Sequence, residues 1–271
     1  MTQRRGRYGR VKSHMYDVHC HILPGIDDGP LELEEALAMA RLAAADGTKV
    51  VVATPHGAQV TEAGGRDALE QRVRAFNQEV QAHAIDLRVV MGAEYMLSME
   101  LLEETKWGTA ISLNGSRYLL VEIDLLQYPP HTDEALFQLQ LHGYTPVLAH
   151  PERQAGIQSQ PELLAGLVER GVLSQITAGS VLGQLGKEAQ HSVEYLLRHN
   201  LVHLMASDGH TATVNRPPVM REAAALVGQW VGEEAAQCLT VSNPSAVLAD
   251  APVSLPVARP PRRRFFLSLG R

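Results

Sequence analysis

The chain has 271 residues, a mass of 29.6 kDa and a net charge of −6, and this length fits one large domain, such as a barrel, or two small ones. Its content of 45% apolar and 20% charged residues excludes a chain that is disordered throughout, and it contains no apolar run of about 18 residues that could span a membrane. Only 5% of the residues are aromatic, and with the acidic balance this argues against a partner that is a nucleic acid.

The charge is unevenly distributed along the chain. Residues 1–14 and 259–271 each carry +5, whereas the stretch between them carries −16. We expect a disordered basic arm over residues 1–14, one folded domain over 15–250, and a Pro- and Arg-rich tail over 251–271. Three arginines followed by Phe265 and Phe266 predict weak contact of the tail with an anionic membrane surface, with a solvated end as the alternative.

Short apolar runs alternate with helical patterns along most of the chain. The runs are continuous, which is typical of strands buried on both faces, and they cover residues 15–20, 49–54, 87–93, 118–123, 145–149, 172–176 and 201–206. The helical patterns cover residues 31–46, 66–83, 132–142, 160–170, 181–200 and 217–230. This alternation predicts an α/β fold whose parallel sheet closes into a barrel, with an open doubly wound sheet as the alternative.

Side chains of the metal-ligand type stand at the ends of six of the seven predicted strands. In chain order they are His19 and His21, His56, Glu94, Glu122, His150, and Asp208 with His210. Because the carboxyl ends of parallel strands meet at one mouth of a barrel, this placement predicts a metal cluster there. We interpret Asp28, in the loop after the first strand, as a further ligand. Imidazole and carboxylate ligands favour Mn, Fe, Zn or Co.

Other residues of the same types have simpler interpretations. Strand alternation turns Cys20 away from its two histidine neighbours, so we expect it to pack in the core. His142 and His199 fall in last turns of helices, and Asp124 fits a loop, whereas His131 could line the pocket. The two cysteines make no disulfide framework, which predicts a cytoplasmic protein.

The opening motif Tyr16-Asp-Val-His-Cys-His-Ile-Leu-Pro-Gly-Ile-Asp-Asp-Gly29 resembles that of the polymerase-and-histidinol-phosphatase (PHP) superfamily. More narrowly, the chain resembles the manganese-dependent bacterial tyrosine phosphatases of capsule and exopolysaccharide operons. The motifs that agree with them follow in order: Ala53-Thr-Pro-His56, Gly92-Ala-Glu94, Leu120-Val-Glu122, Ala149-His-Pro-Glu-Arg153, Ser207-Asp-Gly-His210 and Arg216-Pro-Pro218.

The resemblance implies a distorted (β/α)7 barrel of the PHP type with three divalent metal ions. Mn²⁺ is the first candidate for these ions, and Fe, Co or Zn are the alternatives. The resemblance places His19, His21, Glu94 and Asp208 around one ion, Glu94, Glu122 and His150 around a second, and Asp28, His56 and His210 around the third. It also suggests Arg153 and Arg216 as catalytic phosphate contacts. The chain departs from the family pattern at Gly57-Ala58-Gln59 and at Gln154, which affects the rim of the site.

Such a site fits hydrolysis of a phosphate ester, because closely spaced divalent ions lower the pKa of a water toward about 7 and neutralise phosphoryl oxygens. The expected substrate is a phosphotyrosine protein, namely a bacterial tyrosine kinase with a Tyr-rich tail that controls capsule or exopolysaccharide synthesis. The Arg153 guanidinium could reach a phosphate oxygen, or it could pair with an acid such as Glu152. The alternatives are a small-molecule phosphatase, such as a histidinol phosphatase, and a non-catalytic metal-bound scaffold.

Overall fold

The computed structural model describes residues 14–213 and 216–254, so the basic arm and most of the expected tail lie outside the described residues. All paired strands run parallel. The strands are β1 (Met15–Cys20), β2 (Thr48–Ala53), β3 (Arg88–Met91), β4 (Glu94–Met96), β5 (Tyr118–Glu122), β6 (Thr145–Ala149), β7 (Leu173–Thr177) and β8 (Leu204–Ala206).

Helices connect the strands and continue after β8. They are α1 (Leu33–Asp46), α2 (Gly57–Glu62), α3 (Gly65–Ala82), α4 (Met99–Lys106), α5 (Thr132–Leu141), α6 (Ala155–Ser159), α7 (Glu162–Glu169), α8 (Ala178–Val181), α9 (Lys187–Arg198), α10 (Arg221–Val231), α11 (Glu233–Gln237) and α12 (Asn243–Leu248). Short 3₁₀ turns cover Leu113–Gly115 and Pro151–Arg153, and a π turn covers Cys238–Ser242. The helical segments after residue 232 were not predicted from the sequence.

Backbone contacts join the two sheets, β1-β2-β3 and β4-β5-β6-β7-β8, at both of their edges. On one side Cys20 bridges Gly209, and the Asp208 amide donates to the His19 carbonyl over 2.9 Å. On the other side His56 bridges Glu94. The strands therefore form a distorted closed barrel, which confirms the predicted α/β fold.

The third strand of the barrel is broken, whereas the sequence predicts one strand over residues 87–93. Its first half, β3, pairs with β2, and its second half, β4, pairs with β5. Gly92 lies at the break, where a Cβ atom would come within 2.7 Å of the Val52 side chain. Glycine thus permits the close approach that lets Glu94 turn toward the mouth.

Two predicted helices have different bounds in the structure. The helix predicted over 181–200 is interrupted between α8 and α9, where Gly183 and Gly186 have φ angles of 73° and 104°. Such left-handed backbone ends a helix. The helix predicted from residue 217 begins at Arg221 instead, because the Asp46 carboxylate accepts hydrogen bonds from the amides of Met220 and Arg221.

Apolar side chains pack in two clusters. One fills the space between the strands and the surrounding helices and includes Leu119, Val121 and Leu148. The other contains mostly alternate strand residues such as Leu120 and Val147. Within the described part of the chain, the helices are too short or too polar to cross a membrane.

Candidate metal centre

The nine sequence-predicted ligands all converge at the mouth of the barrel formed by the carboxyl ends of the strands. Donor atoms lie within 4.8 Å of one another in three groups, which are His19, His21 and Glu94; His56, Glu94 and Glu122; and His21, Asp28, His56 and His210. His150 and Asp208 contact the first two groups. Strand topology thus collects side chains that are up to 191 positions apart in the sequence.

Glu94 lies at the centre of the cluster and is almost fully buried. Its Oε2 atom is 3.3 Å from His19 Nε2, 3.4 Å from His21 Nε2 and 3.3 Å from His56 Nδ1. Its Oε1 atom is 3.0 Å from His150 Nε2. One carboxylate therefore faces imidazoles with both oxygens, as a bridging ligand would.

The remaining carboxylates extend the cluster to either side. Glu122 lies 3.8 Å from His150 Nε2, and Asp208 Oδ1 lies 3.4 Å from His19 Nε2. Asp28 Oδ1 is 3.2 Å from His210 Nε2 and 3.4 Å from His56 Nε2, although the Asp28 side chain itself is 61% exposed.

These spacings fit divalent metal ions. Two ligand atoms that are each about 2.1 Å from one ion lie about 3.0–3.4 Å apart at octahedral or tetrahedral angles. Asp208 Oδ1 and His210 Nε2 are buried and have no hydrogen-bond partner among the described residues. Since buried polar atoms are normally paired, a cation would satisfy both.

Two residues that sequence reasoning missed orient the first histidines. Gln175 Oε1 lies 2.7 Å from His19 Nδ1, and Asp27 Oδ2 lies 2.6 Å from His21 Nδ1. Each contact leaves the imidazole Nε2 turned toward the cluster, which is how second partners commonly fix metal-binding histidines. Strand β7, the one predicted strand without a ligand, thus supplies Gln175.

A third contact holds the loop that carries Asp208. The buried Asp17 carboxylate accepts hydrogen bonds from the Ser207 amide over 3.0 Å and from its hydroxyl over 2.5 Å. Asp208 itself has a φ of 53°, and His150 has a φ of 35°. Left-handed backbone at a non-glycine residue persists where its surroundings hold it, and it is common in functional sites.

The pKa values of His19, His21 and Glu94 reflect the close contact between imidazoles and carboxylates in the cluster. Burial alone would lower the pKa of both His19 and His21, but Glu94 and Asp208 raise that of His19 to about 9, and Asp27 and Glu94 raise that of His21 to about 10. Conversely, burial would raise the pKa of Glu94, but its histidine neighbours lower it well below its usual range. The mouth therefore favours cations, which can be protons or metal ions.

Two arginines reach the cluster through one carboxylate oxygen. Asp208 Oδ2 is 3.2 Å from Arg153 Nη1 and 2.5 Å from Arg216 Nη2. Both guanidiniums are partly exposed at the mouth. The alternative ion pair of Arg153 with Glu152 does not form, since Glu152 is buried and faces Thr177.

The other residues considered from the sequence lie away from the cluster. Cys20 packs in the apolar core, as expected. Asp124 is a loop residue that accepts hydrogen bonds from the amides of Leu126 and Gln127. His142 and His199 follow the last residues of α5 and α9, and His131 lies exposed at the start of α5, outside the three donor groups.

A cavity of about 700 Å³ adjoins the cluster, and its lining includes His56, Glu94, Glu122 and Met96. Gly57 also lines it, where a Cβ atom would come within 2.4 Å of the Tyr95 ring, so this ring occupies the space of a side chain at position 57. Gln154 is the second position at which the chain departs from the family pattern. Its buried side chain accepts a hydrogen bond from the Ile157 amide and so caps α6. Gly57 therefore lies at the rim of the site, whereas Gln154 supports α6 from a buried position, and the predicted ligands still converge.

Fold and site together define a parallel α/β barrel with a histidine- and carboxylate-rich centre of the kind that binds metal ions. The model of the capsular polysaccharide synthesis family CpsB/CapC matches residues 15–249. The chain therefore belongs to the CpsB/CapC family, and the resemblance found in the sequence is confirmed at this level.

Relatives and a solved structure agree with this assignment. The chain is 34% identical to the tyrosine-protein phosphatase YwqE of Bacillus subtilis, over 92% of this chain and 98% of that protein. It is 29% identical to the tyrosine-protein phosphatase CpsB of Streptococcus agalactiae, over 86% and 98%. A crystal structure from work on YwqE of B. subtilis and CpsB of Streptococcus pneumoniae, described as unique metal-dependent tyrosine phosphatases, superposes with a TM-score of 0.86 at 32% identity and covers 92% of this chain and 100% of its own.

Proposed function

We propose that this protein is a metal-dependent protein-tyrosine phosphatase. The observation that carries the proposal is the convergence of nine imidazole and carboxylate side chains at one barrel mouth, in a chain similar to proteins named tyrosine-protein phosphatases. The site would hydrolyse the phosphate ester of a phosphotyrosine side chain in a protein.

Three divalent ions, with Mn²⁺ as the first candidate, would be held by the nine side chains of the mouth. His19, His21, Glu94 and Asp208 would hold one ion, Glu94, Glu122 and His150 a second, and Asp28, His56 and His210 the third. The donor distances within these sets are 3.0–3.8 Å, which fits shared ions, and His56 also connects the third set to the second, because its Nδ1 atom is 3.3 Å from Glu94 Oε2. When bound, the ions supply Lewis acidity that makes water a nucleophile at neutral pH and positive charge that stabilises the phosphoryl oxygens.

Arg153 and Arg216 would bind the phosphate. Their guanidiniums lie at the edge of the cluster and share one oxygen of Asp208, so other donor N–H groups of each fork remain for the phosphate oxygens. Asp208 in turn faces His19 with its other oxygen. This carboxylate thus fixes the two arginines relative to the donor set.

The leaving group needs little help from the protein. A phenolate has a pKa of about 10, so its departure requires less protonation than that of an alkoxide. The residues of the mouth therefore need to bind and orient the phosphate rather than donate a proton, and we assign no general acid.

The physiological substrate we propose is a bacterial tyrosine kinase with a Tyr-rich tail that acts in capsule or exopolysaccharide synthesis, and we propose the cytoplasm as the location. Membership of the CpsB/CapC family supports the first proposal. The second is supported by Cys20 and Cys238, which are both free thiols, as expected in a reducing compartment.

The decisive test compares substrates on manganese-loaded protein. We expect release of phosphate from a phosphotyrosine peptide, slower release from histidinol phosphate, and no release after chelation. A His21→Ala variant should lose activity together with bound metal. The proposal fails if chelated protein or His21→Ala retains the wild-type rate, or if histidinol phosphate is the better substrate. Absence of hydrolysis with a full metal complement would favour the scaffold alternative.

A further inference from the structure

Glu152 is a buried carboxylate that takes no part in the ligand and phosphate scheme. It lies in the 3₁₀ turn Pro151–Arg153 and is fully inaccessible to solvent. Its neighbours His150 and Arg153 face the mouth, whereas its own side chain points to the end of β7. Among the described residues no ion pair to Glu152 is found, so neutralisation by a cation does not explain its presence.

Hydrogen bonds tie this turn to two other elements. Glu152 Oε1 accepts from the Thr177 amide over 3.0 Å and from the Thr177 hydroxyl over 2.8 Å. The same hydroxyl lies 2.7 Å from the Ser180 hydroxyl. The Glu152 carbonyl accepts from Gln158 Nε2 over 2.8 Å, which links the turn to α6. The turn is therefore held from the end of β7 on one side and from α6 on the other.

The backbone next to Glu152 needs such support. His150 has φ and ψ angles of 35° and 49°, a left-handed conformation that residues with a β-carbon rarely adopt unless their surroundings impose it. The His150 amide also donates to the Gln175 carbonyl of β7 over 2.7 Å. The residue before the turn and the middle residue of the turn thus both contact β7.

The buried side chain of Glu152 lowers the stability of the fold. Its Oε2 atom is buried and has no hydrogen-bond partner among the described residues. A buried polar atom without a partner costs stability. Its remaining contribution is the connection of Thr177 to the segment that carries His150 and Arg153.

We propose that Glu152 is a positioning residue for the proposed phosphatase reaction, on which this inference rests. By holding the turn against β7, it places His150 beside Glu94 and Arg153 beside Asp208. It contacts neither the phosphate nor an ion and acts only through these two neighbours.

The test compares Glu152→Ala with Glu152→Gln, whose amide oxygen can accept both bonds from Thr177. In manganese-loaded protein we expect Glu152→Ala to lose about tenfold to a hundredfold in kcat/KM for a phosphotyrosine peptide. Calorimetry should show weaker binding of orthophosphate as well. Glu152→Gln should recover most of both quantities. Thr177→Val, which removes the hydroxyl contacts with Glu152 and Ser180 but keeps the amide bond to Glu152, should show a smaller loss and keeps the test possible if Glu152→Ala does not fold.

A matched control separates positioning from general stability. Asn243 is equally buried at the other end of the barrel and donates to the His203 carbonyl, so Asn243→Ala should lower the melting temperature with unchanged kcat/KM. The proposal is overturned if folded Glu152→Ala binds orthophosphate and turns over like the wild type, or if Glu152→Gln is as impaired as Glu152→Ala. If the wild type does not hydrolyse the peptide, the proposed function fails, and orthophosphate binding alone still decides the role of Glu152.

Discussion

His21 and His203 are buried histidines at opposite ends of the barrel, and their pKa values are shifted in opposite directions. At the mouth, carboxylates overcome the effect of burial and raise the pKa of His21 to about 10. At the opposite end, just before β8, burial lowers the pKa of His203 to about 4, and its Nδ1 accepts a hydrogen bond from the Ser174 amide. Burial by itself thus favours the neutral form of a histidine, also at the mouth, where the pKa of His210 is lowered to about 4, and nearby carboxylates reverse this effect at His19 and His21.

Removal of the Glu94 carboxylate at the mouth should have the largest effect on activity and metal content, compared with a matched change at the opposite end of the barrel. Glu94→Gln preserves shape but removes the charge that faces four imidazoles, so we expect a loss of activity of a thousandfold or more. Elemental analysis should show less bound metal. The matched change at the other end, His203→Gln, should leave activity and metal content unaltered. Full activity of Glu94→Gln would contradict the assignment of this cluster as the catalytic centre.

The arginines at the mouth should have the next largest effect. Arg153→Lys keeps the charge but not the planar fork, and we expect kcat/KM to fall by about tenfold to a hundredfold while metal content stays constant. Steady-state kinetics with a phosphotyrosine peptide and metal analysis of the same sample provide the measurement. Arg117→Lys, at an exposed pair with Asp250 outside the centre, is the control. Equal rates for Arg153→Lys and the wild type would show that this fork does not bind phosphate.

Residues that orient the mouth histidines should matter less than the ligands. Gln175→Ala leaves His19 without its Nδ1 partner, so we expect metal affinity to fall by about tenfold. Titration of metal-free protein with Mn²⁺ measures the change. Gln175→Glu should retain a partner for His19, and a loss equal to that of Gln175→Ala would argue against an orienting role.

At the opposite end we expect an effect on stability but none on catalysis. His203 is neutral in the folded protein, whereas the unfolded chain takes up a proton as the pH falls below about 6.5. The free energy of unfolding should therefore decrease between pH 6.5 and pH 4 by up to about 3 kcal/mol from this residue, and no such loss occurs at higher pH. Urea unfolding of chelated wild type and His203→Gln measures the difference in stability, which should change between pH 6.5 and pH 4 and stay constant above about pH 7.5. If the free energy of unfolding depends on pH in the same way in both proteins, the predicted contribution of His203 is disproved.

The sequence by itself determined the alternation of strands and helices and the ligand types at the strand ends, because both follow from local apolar patterns and from residue identity. It also predicted the barrel, since parallel strands need crossover helices and bring their carboxyl ends together. The break between β3 and β4, the split of the helix at Gly183–Gly186 and the helices after residue 232 depended on packing that such patterns do not record.

Only the tertiary structure decided which residues support the ligands. Gln175, Asp27 and Glu152 look like ordinary polar residues in the sequence, and their partners are 156, 6 and 25 positions away. Their roles depend on which atom of a side chain meets which neighbour, and that is set when the strands assemble. The identity of a ligand is thus encoded locally, whereas its orientation and protonation result from contacts between distant segments.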